Sequence, residues 1–370
     1  MNEKLALNTT FKTKFVEQLR IDKRKRQTDN FDTYRFAREM SSTPWWKRLA
    51  ISLGALRLRF VFRKRAILKH ADDLEWTYER LSDDESRRLL VSVMAFRALG
   101  RERVKLDTNN PERLRSIEKI EGTLVKAKSS QTLSNGQTLD DFDLHPLGIP
   151  IVLRGRMGNV LYPFILNQYR LQRSAYVFEA SPGDVVIDAG GCYGDTTLYF
   201  ANAVGSSGAV YCYEFDSENL DVFRQNMLAN PELGARIRLI ENALWNAPGD
   251  KIHFAAGGAS TRLTPHSSQG QATNTVVTDT VDAMVERLGV PRVDLIKMDI
   301  EGAELAALHG GRRTIVRDRP KLAICIYHQL DHFWKIPQFI NSLNCGYEFR
   351  IGHFTIHAEE TVLFAVAPRD

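Results

Sequence analysis

The chain has 370 residues, 43% hydrophobic and 26% charged, figures ordinary for a soluble globular protein with a substantial core and more than one domain. Its net charge of +5 hides an asymmetry: residues 1–130 hold 30 Lys and Arg against 18 Asp and Glu, net +12, while residues 131–370 hold 20 against 27, net −7. The N-terminus lacks a signal peptide's apolar core, no apolar stretch reaches bilayer length, and the four scattered cysteines form neither a Cys-x-x-Cys pair nor a zinc-site spacing, which excludes secretion, membrane insertion and a metal-ligand framework from the expectation and favours a reduced, cytoplasmic protein.

Residues 1–40 are polar and basic, with Lys23-Arg24-Lys25-Arg26, and read as a loose or helical lead. In 45–65, Trp45, Leu49, Leu53, Leu56 and Phe60 recur at roughly helical spacing among Lys47, Arg48, Arg57, Arg59, Arg63, Lys64 and Arg65. That mixture suits first a helix packed on its own domain, the default for a surface helix, and second one lying on an anionic membrane, the inner membrane surface in a cell. Ser82-Asp83-Asp84-Glu85 spells a capping box with Ser82 as N-cap, opening a helix whose apolar face is Leu89, Leu90, Val93 and Phe96 and which stops near Gly100. From about 126 to 146 the composition shifts to Ser, Gln, Asn, Gly and Asp, the mark of a connection between domains. The expected division is a basic, mostly helical region at 1–130, a linker at 131–146, and a catalytic domain at 147–370.

Beyond the linker, apolar runs alternate with helical patterns. Strands are expected at 184–188, 209–214, 237–241, 294–299 and 321–327, with a hairpin in 346–367; helices are expected at 195–204, 217–229, 279–288, 302–316 and 335–343. Strand alternating with helix implies an α/β fold with a parallel sheet covered on both faces, and ligands at the carboxyl ends of its strands.

The first such end is the most telling. Val185-Val186-Ile187-Asp188 runs into Ala189-Gly190-Gly191-Cys192-Tyr193-Gly194-Asp195, a buried strand, a tight glycine turn and a helix start. The dinucleotide fingerprint wants its first glycine where Ala189 stands, and a phosphate loop wants a lysine where Asp195 stands. Acids at 188 and 195 oppose a pyrophosphate but suit a ligand with an ammonium and a sulfonium, such as S-adenosylmethionine. Glu214 ends the second run, placed to accept ribose hydroxyls; Asn242 follows the third, placed for an adenine edge or a turn. The fourth run ends in Asp299, Glu301 and Glu304, three acids able to hold the ammonium, orient an acceptor hydroxyl or bind a cation. The fifth ends in His328, a candidate base.

Val186-Ile-Asp-Ala-Gly-Gly-Cys-Tyr-Gly-Asp-Thr-Thr, Tyr213-Glu214-Phe215 and Ile296-Lys-Met-Asp-Ile-Glu-Gly-Ala-Glu304, in that order, resemble the FkbM family of S-adenosylmethionine-dependent methyltransferases. The resemblance covers roughly 165–367. It implies a Rossmann-like class I methyltransferase fold with a seven-stranded, mostly parallel sheet, and O-methylation of a sugar, glycan, lipid-linked or natural-product hydroxyl. Carried across, Asp188, Gly190, Gly191 and Gly194 would cradle the methionine part, Glu214 the ribose and Asn242 the adenine, with Gln168 and Tyr169 closing over the cofactor. Asp299 would position cofactor or acceptor, Glu301 would orient the acceptor or bind a cation, and His328 would act as base. Relatives often carry a Glu shortly before that histidine, where Ile326 and Tyr327 stand here. Gly257-Gly258-Ala259-Ser260-Thr261 is expected as a flexible wall near the acceptor. The rival readings are a nicotinamide-dependent oxidoreductase, against which Ala189 and the lack of a Tyr-x-x-x-Lys pair count, and a membrane-surface binding module built on 45–65. No nucleic-acid motif is present.

Overall fold

The computed structural model describes residues 10–32, 56–134, 136–174, 176–257, 261–263 and 274–368. The chain divides into two compact units: Met1–Arg113 with Phe349–Thr361, and Leu114–Glu348 with Val362–Asp370. Most of the 45–65 segment and residues 258–260 of the glycine-rich wall lie outside the described residues.

In the first unit, helix Phe11–Asp22 is capped by Thr10, whose side chain accepts from the Thr13 amide, and it buries Phe11, Phe15 and Leu19 at four-residue spacing. Helices Leu56–Lys69, Ala71–Arg80 and Asp84–Leu99 follow. The last of these starts one residue later than the capping box implied. Asp83 is its N-cap, accepting from the Ser86 amide at 2.7 Å. The Ser82 amide instead donates to the Phe349 carbonyl at 2.8 Å, so it is not left for the Glu85 side chain that a capping box would bring back to it. Leu90, Val93 and Met94 are fully buried on its apolar face, and Gly100 ends it with φ +79°.

The second unit begins at Leu114, inside the region expected to end at 130, and has a sheet where a linker was expected at 131–146. Strands Val125–Thr132, Thr138–Asp143 and Val152–Gly155 form an antiparallel sheet. Their polar composition masks the alternation: Leu139 and Phe142 are buried, while Lys128–Asp140 (2.9 Å) and Arg154–Asp141 (2.7 Å) pair across strands. The strand Val152–Gly155 is also satisfied by two asparagines of helix Ser217–Ala229 and its C-cap. Asn226 takes the Arg154 amide at 2.7 Å and gives to its carbonyl at 2.8 Å, and Asn230 does the same for Val152 at 3.0 and 2.7 Å. Two side-chain amides thus stand in for a neighbouring strand, one way of covering an edge.

The main sheet has seven strands: β1 (Val185–Ala189), β2 (Ala209–Tyr213), β3 (Ile237–Ile240), β4 (Leu295–Met298), β5 (Lys321–Cys325), β6 (Glu348–His353) and β7 (Thr361–Val366), in the order β3-β2-β1-β4-β5-β7-β6. Pairs β3/β2, β2/β1, β1/β4 and β4/β5 are parallel and β5/β7 is antiparallel, so the expected mostly parallel α/β sheet is present. β4 is buried along its length, as β-branched and aliphatic runs covered on both faces should be. The helix expected over 302–316 is two, Glu304–Gly310 and Arg312–Asp318. At Gly310 a Cβ would overlap the Trp245 carbonyl, a backbone approach too close for an uninterrupted helix of larger residues. The strand order reverses between β1 and β4, which makes their carboxyl ends the switch point where an open α/β sheet binds its ligand.

Candidate active site

The glycine turn after β1 is wedged against the end of β4. Gly190 has φ +84°, and a Cβ there would overlap the Asp299 carbonyl oxygen; at Gly191 it would overlap the Cys212 sulfur. Gly194 takes φ +86° as the N-cap of helix Asp195–Ala203. The Gly190 and Gly191 amides donate to the Tyr213 carbonyl at 3.0 and 3.1 Å, and the Asp299 amide to the Ala189 carbonyl at 3.0 Å. The three strand ends β1, β2 and β4 are therefore stitched together by backbone alone.

Beneath this turn lies an ion pair that sequence reasoning missed. Lys297 and Asp188 are neighbours in register on β4 and β1, and their charges meet at 2.8 Å with side chains 1% and 0% exposed. The ammonium also donates to the Gly190 carbonyl at 2.7 Å and the Ala189 carbonyl at 3.2 Å, while Thr196 and Thr197 donate to the other Asp188 oxygen at 2.9 and 2.6 Å. Burial alone would lower the Lys297 pKa, but Asp188 and then Asp299 outweigh it and hold it above the ordinary lysine value. Asp188 is thus neutralised internally and does not reach the cavity, a correction to its expected contact with a ligand ammonium. Asp195 is likewise buried, held by the Asn159 amide at 2.9 Å. Burial pushes its pKa up to about 6.

Glu214, just past β2, does line the cavity. Its carboxylate already accepts from four donors: the Cys192 amide (2.9 Å), the Phe215 amide (2.7 Å), the Asp216 amide (2.8 Å) and the Asn219 side chain (3.3 Å). A carboxylate has about four acceptor positions, so a ribose hydroxyl must displace a donor, and the long Asn219 contact is the weakest. Burial raises the Glu214 pKa to about 7 against the opposing backbone donors.

The acidic block after β4 gathers around one imidazole. Asp299 accepts from the Tyr169 hydroxyl at 3.2 Å and the Tyr327 hydroxyl at 3.0 Å. His328 Nε2 lies 3.5 Å from Asp299 and 3.6 Å from Glu301, and its Nδ1 lies 2.9 Å from Glu304. Glu304 is fully buried; it accepts from the Ile300 amide at 2.9 Å and lies 3.3 Å from His332 Nδ1. Burial would lower the His328 pKa, but Glu304 foremost, with Glu301 and Asp299, holds it well above its usual value; His328 in turn overcomes burial to hold Glu304 well below the carboxylate range. The imidazole expected as a base is thus surrounded by three carboxylates that favour its protonated form. Ligand atoms of Asp299, Glu304 and His328 lie within 4.8 Å of one another, close enough to share a metal ion.

An open cleft lies over these strand ends, lined among others by Gly190, Glu214, Asn242, Asp299 and Glu301. Five expected residues therefore meet at one cavity. Gly191, Gly194, Gln168, Tyr169 and His328 are not among its lining; Tyr169 and His328 act on it through Asp299, and Gln168 is buried with its amide on the Tyr162 carbonyl at 3.0 Å. Asn242 donates to the Val277 carbonyl of strand Asn274–Asp279 at 3.1 Å, a bond between strands and not a turn cap, while lining the cavity. Arg262, unforeseen, pairs with Glu301 at 3.2 Å from the rim. Tyr327, which stands where a Glu was looked for, supplies a hydroxyl to Asp299 instead.

Residues 188–349 match the sequence profile described as the methyltransferase FkbM domain. Among solved structures, the chain is similar to methyltransferase FkbM from Methylobacillus flagellatus at 20% identity and a TM-score of 0.51, over 81% of this chain and 60% of that one; it thus spans about 60% of that protein's length. Lower-scoring likenesses include Aeropyrum pernix fibrillarin with natively bound S-adenosyl-L-methionine (13% identity, TM-score 0.36, 65% of this chain and 97% of that one) and the Bacillus cereus O-methyltransferase in complex with SAH (12%, 0.34, 71% and 93%). No curated protein matches the sequence.

Proposed function

From the premise that residues 188–349 are a methyltransferase domain of the FkbM family, we propose that the chain transfers the methyl group of S-adenosylmethionine to a hydroxyl oxygen of a sugar, glycan or natural-product acceptor. The cofactor supplies an electrophilic methyl on a sulfonium. Everything else falls to the chain: aligning donor and acceptor in line, excluding water, and removing the hydroxyl proton late in the step.

The residues fit that cofactor. Gly190 leaves no room for a side chain between the first turn and Asp299, so the ligand can approach bare backbone. Glu214 offers the acid for ribose, and Asn242 lines the same cavity. The nicotinamide reading loses its footing, since Ala189 ends β1 and the matching domain is a methyltransferase.

The observation that carries the acceptor half is Asp299, a carboxylate facing the cavity and clamped by two tyrosine hydroxyls at 3.2 and 3.0 Å. In this reading Asp299 accepts the acceptor hydroxyl's hydrogen bond and takes its proton, Glu301 orients a second hydroxyl, and the His328 imidazolium is a positioning residue that holds both carboxylates in place. The test is Asp299→Asn assayed with a panel of polyhydroxylated acceptors. Methyl transfer should fall by about 10²–10⁴-fold while S-adenosylhomocysteine binding survives. Full transfer in that variant removes Asp299 from the mechanism.

A further inference from the structure

Helix Leu56–Lys69 carries Arg57, Arg59, Arg63, Lys64, Arg65 and Lys69 and no acid. Its packed side is set by Ile67, 2% exposed, with Phe60 and Lys64 half-buried beside it. On the opposite side Phe62 is 62% exposed, and Arg65, Ala66 and Lys69, three, four and seven residues on, are exposed with it. That spacing makes one outward stripe, an aromatic ring followed by two cations. Val61 is also exposed, and so is Ile21 at the end of helix Phe11–Asp22. The Lys23 ammonium lies 5.9 Å from the Phe60 ring centroid, on the packed side of the helix, so the exposed run Lys23-Arg24-Lys25-Arg26 adds positive charge next to the helix and not to the Phe62 stripe itself.

We propose that this surface of the first unit docks on an anionic lipid surface, with Phe62 entering the headgroup region and the surrounding Lys and Arg contacting lipid phosphates. Cationic charge with neighbouring apolar side chains is the combination an interfacial helix uses. Nucleic acid would satisfy the charge, yet it offers Val61 and Ile21 no apolar phase to enter. The inference is independent of the acceptor and of the catalytic assignments.

The test is co-sedimentation of the full chain with vesicles of phosphatidylcholine alone or mixed with phosphatidylglycerol, at low and high salt. Binding is expected only with phosphatidylglycerol, weakened by salt, and about tenfold weaker or worse in Phe62→Ser and in Arg65→Glu with Lys69→Glu. Retained S-adenosylhomocysteine binding reports that each variant is folded. Absence of binding at low salt, equal binding to neutral vesicles, indifference to both variants, or tighter binding to duplex DNA than to the mixed vesicles would each overturn the proposal.

Discussion

At Glu214 a single carboxylate links protonation to ligand binding. Its pKa is about 7 because it is buried, so the folded chain binds a proton there more tightly than the unfolded chain, whose value is the ordinary 4.5. Stability drawn from that proton is present in acid and is lost as pH rises through that window. Ligand hydroxyls favour the ionised form, so affinity for S-adenosylhomocysteine should increase as pH climbs through neutrality. Glu214→Gln should flatten that dependence and weaken binding by about 1.5–3 kcal/mol, as titration calorimetry across pH would read. Lys297 makes a different kind of claim. Removing its ammonium leaves Asp188 buried without a partner, so Lys297→Met should cost about 3–5 kcal/mol in denaturant unfolding, and adding Asp188→Asn should restore much of it. An unchanged midpoint in the single variant would mean the pair contributes no stability.

Among elements, the shift of one helix cap shows what local pattern can and cannot decide. Ser82 and Asp83 are both good caps, and the motif alone favoured Ser82 because Glu85 stands three residues on. In the fold the Ser82 amide goes to Phe349, far away in sequence, which takes away the capping box's second bond, and Asp83 caps the helix. Asp83→Ala should therefore lower stability by about 1 kcal/mol, whereas Ser82→Ala should change it by no more than a few tenths, by chemical denaturation. The sheet at 125–155 carries the same lesson. Its strands are polar because their charges pair with each other and their edge is met by Asn226 and Asn230, so composition resembled a loop while the hydrogen bonds were those of a strand. The helix Ser217–Ala229 was legible to the residue, since its apolar spacing and the Asp216 cap are local.

For the whole molecule, the switch point between β1 and β4 organises the proposed chemistry, which places the cofactor where the turn at Gly190 meets Asp299. Saturating S-adenosylhomocysteine, at about a hundred times its Kd, should stabilise the fold by about 2.7 kcal/mol and raise the melting temperature, while NAD should leave it unchanged. A matching shift with NAD would count against the cofactor assignment. No helix among the described residues is long and apolar enough to cross a membrane.

The sequence by itself determined the parallel core, the glycine turn and the acids that end β2 and β4, on which the proposed methyl donor rests. These depend on runs of β-branched residues and on glycines whose backbone demands are local. Only the tertiary structure decided which charges face the ligand. Asp188 reads as a ligand acid until β4 sets Lys297 against it, and His328 reads as a base until Glu304, Glu301 and Asp299 surround it. A charge's availability depends on what burial and neighbours across the sheet do to it, and those neighbours are more than a hundred residues away for Asp188 and more than twenty for His328.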